Sequence, residues 1–300
     1  MKIEFLLKCK IVKMATQWEL DHLLINLLIV FLVILSALGN PPNYLDELEQ
    51  SPEVPLREQR PKRSSTLMEL GCRGHLKAPS NRNLFCSYNS TTTPFLRLAP
   101  FKTEEISLDP FILLFHNAIY DNEISYFTKV KRKDMREAHT DNYTTPNEQY
   151  RIMQVKVYEG IGDKMDKTLL ERVKDISGLS AGNKSELAAG NYGLGSYFPE
   201  HSDYRDIKVS PELNETGDRL ATILFYLSDV AQGGHTIFPL ANVTVQPKKG
   251  SALFWFNLHN DGEPNIKSLH GVCPIIEGNR WILTTTFFEW DQMFRKPCYK

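Results

Sequence analysis

Charge of one sign is what this sequence most lacks. It carries 35 Lys and Arg against 36 Asp and Glu, a formal net charge of -1 at pH 7. So even a balance gives no global field with which to hold nucleic acid, and the function has to be sought in a site. Internal repeats and low-complexity tracts are also missing, which excludes a solenoid. Cysteine is scarce, with 5 among 300 residues. What remains, at 42% hydrophobic and 24% charged, is the composition of an ordinary globular protein, one large domain or two small ones.

One long apolar run stands near the N-terminus. Lys2, Lys8, Lys10 and Lys13 precede the stretch from Leu23 to Gly39, which ends in the small residues Ala37 and Gly39. A basic region, an apolar region and an A-x-A-like site together predict a secretory signal over residues 1–39. Its length lies near the lower limit for spanning a bilayer, so an uncleaved signal anchor is the alternative, and only then would the chain touch a membrane. Cysteine usage agrees with export. Beyond the signal stand Cys72, Cys86, Cys273 and Cys298, an even set that allows three connectivities. Pairing sequence neighbours predicts Cys72 with Cys86 and Cys273 with Cys298, each loop stabilising by about 3 kcal/mol on the chain-entropy model. Sequons at Asn89, Asn142, Asn183, Asn214 and Asn242 fit a glycoprotein of the same compartment.

Residues 40–68 are rich in Pro, Glu, Arg and Ser and read as an exposed linker. A disulfide-bearing extension over 69–104 follows, and then the main domain over 105–300, which the resemblance given below implies is catalytic. Ile106 to His116 is apolar strand material. Asp121 reads as the N-cap of a helix running to about Lys133, and Arg136 to Glu148 as a polar surface loop. A second helix is predicted over Lys167 to Ile176, where Leu169, Leu170, Val173 and Ile176 fall at helical spacing and Gly178 stops the run. From Ser185 onward short β-rich runs alternate with turn residues: Glu186–Tyr192, Arg219–Leu227, Thr236–Phe238, Val243–Gln246, Ser251–Leu258, Val272–Ile276 and Arg280–Phe288. That texture predicts a sandwich, barrel or jelly roll, hence an α+β, mainly β fold with flanking helices.

Chemistry concentrates in the stretch from Asn191 to Tyr204. His201 and Asp203 are two apart, so on an extended strand both side chains point the same way. His270 supplies a second imidazole far downstream. Two histidines and one carboxylate that leave other coordination positions open are the ligand set of non-haem Fe(II) oxygenases. Arg280 follows on an apolar strand and offers a fixed positive fork for a carboxylate.

Several segments in order carry a resemblance to a known family. They are Asn191-Tyr192-Gly193-Leu194-Gly195 up to His201-Ser202-Asp203, Phe225-Tyr226-Leu227-Ser228-Asp229-Val230 with Gly233-Gly234, and Pro247-Lys248-Lys249-Gly250 with Phe254-Trp255-Phe256-Asn257-Leu258. His270, Cys273-Pro274, Gly278-Asn279-Arg280-Trp281 and Phe294-Arg295-Lys296-Pro297-Cys298 complete them. From about Leu70 to Tyr299 the chain resembles the catalytic region of the collagen prolyl 4-hydroxylase α subunits, within the Fe(II)/2-oxoglutarate dioxygenases. The resemblance implies a double-stranded β-helix core of the jelly-roll or cupin kind. It also implies that His201, Asp203 and His270 hold Fe(II), that Arg280 meets the distal carboxylate of 2-oxoglutarate, and that Tyr192 hydrogen-bonds this co-substrate. Molecular oxygen would be consumed and L-ascorbate (vitamin C) would restore oxidised iron. Family cysteine spacing agrees with the two pairs above. The implied activity is hydroxylation of peptidyl-proline in collagen-like peptides in the endoplasmic reticulum lumen, with protein disulfide isomerase as β subunit.

Departures from the family pattern accompany the matches. Arg280 stands where the family has lysine, while related 2-oxoglutarate enzymes use arginine. Thr286 and Phe288 stand where the family has a tryptophan and a histidine, and period two puts 280, 286 and 288 on one strand face. Only a short linker separates the signal from Cys72, where family α subunits carry dimerising and peptide-binding segments. These features motivate the alternative reading, a weakly active or non-catalytic paralogue acting as a binding or assembly subunit.

Overall fold

The run from Arg219 to Tyr226 becomes the middle of the molecule because every residue after the first is buried. A continuous apolar run of this length is what a strand covered on both faces requires. In this computed structural model residues 66–77, 84–130, 132, 135–137, 153–158, 164–181, 187–205 and 210–292 are described. All of them belong to one compact unit, Ser64–Lys300. The predicted signal, most of the linker, Cys9, Cys298 and the sequons at Asn142 and Asn183 lie outside the described residues. Among the described residues no helix is long and apolar enough to cross a membrane.

In chain order the strands are β1 (Cys86–Asn89), β2 (Phe101–Leu108), β3 (Phe111–His116), β4 (Arg136–Glu137), β5 (Gln154–Tyr158), β6 (Leu187–Tyr192), β7 (Phe198–His201) and β8 (Arg219–Tyr226). There follow β9 (Gln232–Gly233), β10 (Thr236–Phe238), β11 (Val243–Val245), β12 (Ala252–Phe256), β13 (His270–Val272), β14 (Ile275–Glu277) and β15 (Arg280–Phe288). One sheet has the order β1-β2-β3-β12-β8-β15-β6-β5-β4, a second β11-β10-β13-β7, and a small third pairs β14 with β9. Take the eight strands β6, β7, β8, β10, β11, β12, β13 and β15 as first to eighth. The large sheet then reads sixth, third, eighth, first, and the smaller one fifth, fourth, seventh, second. This is the interleaved strand order of a jelly roll, the double-stranded β-helix expected above.

Alternation along β8 sorts the core into two layers. Leu224 and Tyr226 join Tyr192, Ile282, Trp255, Phe238, Val243 and Val272 between the two sheets. Ala221, Ile223 and Phe225 point the other way and meet Leu169, Leu170, Val173 and Ile176 of the helix Lys164–Ser177. Each large side chain so buried contributes roughly 1.5–3 kcal/mol. The helix stops where Gly178 adopts φ +71°, a left-handed conformation that lacks a Cβ penalty only in glycine.

Several local expectations need correction. Ile106 to His116 spans two strands of a hairpin, β2 and β3, turned at Asp109-Pro110. Tyr120, not Asp121, is the N-cap of the helix Asp121–Ser125, because Glu123 reaches back to accept the Tyr120 N–H at 2.9 Å; a π-helical turn follows over Tyr126–Val130. Arg136 and Glu137 are not loop but the edge strand β4. The run Val272–Ile276 is divided between β13 and β14 at Cys273-Pro274.

The disulfide pairing is the largest correction. Cys72 is bonded to Cys273, not to Cys86, and Cys86 is a free, exposed thiol. Residues expected to be linker explain why. The helix Leu67–Cys72 begins inside the predicted linker, capped by Thr66 and Glu69 in a capping box. It packs against the smaller sheet, where a Cβ on Gly71 would stand 2.7 Å from Ile237 and one on Gly271 would stand 2.8 Å from Met68. That contact brings Cys72 to Cys273 at the end of β13. Cys86, by contrast, opens β1, the outermost strand of the other sheet.

Candidate active site

The smaller sheet places two imidazoles side by side. β13 runs antiparallel to β7, and His270 is the direct partner of His201. Expected alternation along one strand is only half of the arrangement: β7 stops at His201, and Asp203 lies on a bend beyond it. A hydrogen bond instead brings the carboxylate in, the Thr222 hydroxyl of β8 donating to Asp203 Oδ2 at 2.6 Å. His201 Nε2 then stands 3.8 Å and His270 Nε2 3.9 Å from Asp203 Oδ1. The three ligand atoms lie within 4.8 Å of one another, the group among the described residues that could hold a metal ion.

Backbone carbonyls decide the tautomers. His201 Nδ1 is 2.9 Å from Pro199 O, and His270 Nδ1 is 2.9 Å from Ser268 O. A carbonyl can only accept, so each Nδ1 carries the proton and each Nε2 offers its lone pair inward, as metal-binding histidines do. Packing holds the rings: Phe198 stacks on His201 at 3.8 Å, and Trp255 meets the His270 ring edge-on at 4.8 Å. Burial alone would raise the Asp203 carboxyl, but the imidazoles of His270 and His201, the Thr222 hydrogen bond and Arg219 outweigh it and hold the group below the usual carboxylate range. The donor set is two imidazoles and one carboxylate on one side of a point, which fits Fe(II) with positions left open.

Across the inter-sheet core, β15 presents Arg280, fully buried at 0% exposure. Its Nη2 donates to Thr236 Oγ1 on β10 at 2.9 Å, while Nε and Nη1 are buried with no partner. Tyr192, directly opposite it on β6, and Tyr226 flank the guanidinium at 5.1 and 5.4 Å. An enclosed cation with two unused donors is costly unless an anion completes it, so the residues present fit a carboxylate there. Tyr226 is tied to Thr236 at 2.7 Å. Burial raises its phenol, against the opposing pull of Arg280, so it remains a protonated donor.

All five residues expected at the site are therefore described, and they fall into two groups: His201, Asp203 and His270 in one, Arg280 and Tyr192 in the other. Four further residues, Thr222, Asn257, Thr236 and Tyr226, complete them. Thr222, Thr236 and Tyr226 sit in runs that read only as apolar strand, so their partners were not readable locally. Of the two departures, Thr286 stands opposite Thr222, the residue that holds Asp203. Register breaks between Phe287 and Phe288, so simple alternation does not carry Phe288, which pairs with Arg219.

Comparison with known proteins agrees with this geometry. Residues 187–288 match the model of the 2OG-Fe(II) oxygenase superfamily. The chain is 34% identical over 234 residues to prolyl 4-hydroxylase subunit alpha-2 of Caenorhabditis elegans, covering 76% of this chain and 43% of that protein. It is 35% identical over 239 residues to the human prolyl 4-hydroxylase subunit alpha-1, covering 77% of this chain and 45% of the relative. It thus spans about half the length of the curated relatives it matches. Among solved structures, a viral collagen prolyl hydroxylase from Paramecium Bursaria Chlorella virus-1 in a 2OG complex aligns with a TM-score of 0.47 at 17% identity, over 59% of this chain and 95% of that one.

Proposed function

The chain belongs to the 2OG-Fe(II) oxygenases, in the line of the prolyl 4-hydroxylase α subunits, and on that premise we propose that it hydroxylates peptidyl-proline. The observation that carries this reading is the pairing of a two-His-one-carboxylate group with a buried arginine whose Nε and Nη1 lack partners. In the overall reaction 2-oxoglutarate, dioxygen and a substrate C–H become succinate, carbon dioxide and a C–OH.

Fe(II), when bound, supplies the dioxygen chemistry. His201 Nε2, His270 Nε2 and Asp203 Oδ1 would hold it. Arg280 binds and orients the distal carboxylate of 2-oxoglutarate through Nε and Nη1, and the tyrosines on either side, Tyr192 and Tyr226, keep that end free of water. Aromatic packing by Phe198, Phe238 and Trp255 fixes the histidine rings.

We further propose a collagen-like, proline-containing peptide as substrate, ascorbate as reductant, protein disulfide isomerase as a β subunit, and the endoplasmic reticulum lumen as the compartment. Support comes from the relatives' kind, from the apolar run Leu23–Gly39 and from the Cys72–Cys273 bond, which an oxidising lumen preserves. The test is incubation of the purified protein with Fe(II), ascorbate, labelled 2-oxoglutarate and a proline-rich peptide, with and without the isomerase. Release of labelled carbon dioxide together with a peptide gaining one oxygen atom is expected. No turnover of 2-oxoglutarate under either condition refutes the enzyme and leaves the binding-subunit alternative.

A further inference from the structure

We infer that Thr222, itself held by Asn257, is a positioning residue that restricts Asp203 to a single ligand oxygen; the inference rests on the metal-centre reading above.

Asn257 is 0% exposed and Thr222 3%, so water does not compete with the groups they touch. Asn257 Nδ2 lies 3.1 Å from the Arg219 carbonyl oxygen and 3.0 Å from Thr222 Oγ1. Flipping the amide would set oxygen against the carbonyl oxygen, two acceptors facing each other, so the nitrogen is the atom that faces both groups. Its two protons are then assigned, one to Arg219 O and one to Thr222 Oγ1. Thr222 Oγ1 therefore accepts from Asn257, and its only proton is left for Asp203 Oδ2, at the 2.6 Å expected of a hydroxyl bound to a carboxylate. Hydrogen bonds now run one way, from Asn257 through Thr222 to Asp203.

A ligand geometry follows. Oδ2 accepts from the Thr222 hydroxyl, while Oδ1 faces both histidine Nε2 atoms. One carboxylate oxygen and two imidazoles use three positions of an octahedral ion and leave three open. If Oδ2 also swung onto the metal, one fewer would remain, too few for a two-atom chelate and dioxygen together. Neighbouring strands make the arrangement stiff: Thr222 sits across from Trp255 on one side and Thr286 on the other. Asn257 is anchored by its own N–H to Leu220 O at 2.8 Å and by its carbonyl to the Asn265 N–H at 2.9 Å.

Co(II) binding to the whole protein without co-substrate tests the inference, read by calorimetry and by the d–d absorption spectrum. Thr222→Val keeps shape and removes the donor. It is expected to weaken Co(II) by about 10–100-fold and to shift the d–d bands, while Thr222→Ser, which keeps the hydroxyl, restores both. A folded Thr222→Val protein with the parent's affinity and spectrum overturns the inference. Should that variant fail to fold, Thr222→Cys is compared with Thr222→Ser: weaker binding with the poorly donating thiol supports the inference, and equal binding and spectra overturn it. A parent that binds no Co(II), or binds it unchanged after His270→Ala, overturns the metal centre and this inference with it. The expected Co(II) results from a protein that turns over no 2-oxoglutarate refute only the proposed activity.

Discussion

Replacing Arg280 by methionine separates two roles that the buried guanidinium could have, holding the fold and binding an anion. In the protein without co-substrate the terms oppose each other. Hydrogen bonding to Thr236 contributes about 1.5–3 kcal/mol, and cation–π contacts with Tyr192 and Tyr226 about 2 kcal/mol each when desolvated. Against them stand the unmade bonds of Nε and Nη1 at about 1–3 kcal/mol each and a desolvation penalty of several kcal/mol. Since the two sides are of similar size, Arg280→Met should leave the unliganded protein within about 2 kcal/mol of the parent. Co-substrate binding has no such cancellation. Two charge-assisted bonds at about 1.5–3 kcal/mol each amount to roughly 100- to 10,000-fold in affinity, at 1.4 kcal/mol per tenfold. Thermal melts with Mn(II) in place of iron read both quantities. At a 2-oxoglutarate concentration of about 100 times the dissociation constant the parent should gain about 2.7 kcal/mol, and the variant should gain almost nothing. A variant that melts far below the parent when unliganded, yet is stabilised by 2-oxoglutarate as the parent is, would show that Arg280 is structural and refute the reasoning.

Three other outcomes are expected. Peptide mapping without reduction should recover Cys72 joined to Cys273 and leave Cys86 open to alkylation; on the chain-entropy model, breaking a bridge across 201 residues costs up to about 5 kcal/mol, and a Cys72–Cys86 peptide would contradict the fold around β13. Gly233→Ala should destabilise by more than the roughly 1–2 kcal/mol of a left-handed L-residue, because φ there is +83° and the new Cβ would lie 2.1 Å from Pro274 O; an unchanged melting temperature refutes this. His235 is held below the ordinary histidine value by burial and then by Arg280, so the folded state favours the neutral ring. Its contribution to stability is full above about pH 6.5 and is lost as pH falls through the folded-state value. His235→Gln should therefore reduce the parent's loss of stability between neutral and mildly acidic pH, and an identical pH profile would count against it.

Much of the β architecture could be read in advance because its signal is local. β10 and β15 have the limits expected, β6, β8 and β11 differ by one residue at one end, and β12 by one residue at its start and two at its close, since apolar runs bounded by Gly, Pro and Asn mark strands without reference to partners. His201, Asp203, His270 and Arg280 stood out for a different reason: imidazole, carboxylate and guanidinium are conspicuous in or near strands that otherwise bury apolar groups. Thr222 and Asn257 did not, because a buried hydroxyl or amide acquires meaning only from what lies across the sheet. Asp203 shows the same limit, for strand alternation explains its spacing from His201 and not the bend that Thr222 stabilises. The cysteines failed for want of long-range information. Sequence proximity favours Cys72 with Cys86, whereas a short helix that begins in the apparent linker carries Cys72 to the opposite sheet from Cys86.

The division of labour between the two sheets has a metric consequence. Both histidines hang from the four-stranded sheet, on β7 and β13, while Arg280 hangs from the nine-stranded one. Facing sheets keep a spacing of about 10 Å, and the Arg280–Thr236 hydrogen bond ties the two together. The fold thus works as a caliper with one jaw on each sheet. Under the proposed function, what it sets is the span from the metal-ligand group to the guanidinium, which 2-oxoglutarate has to bridge.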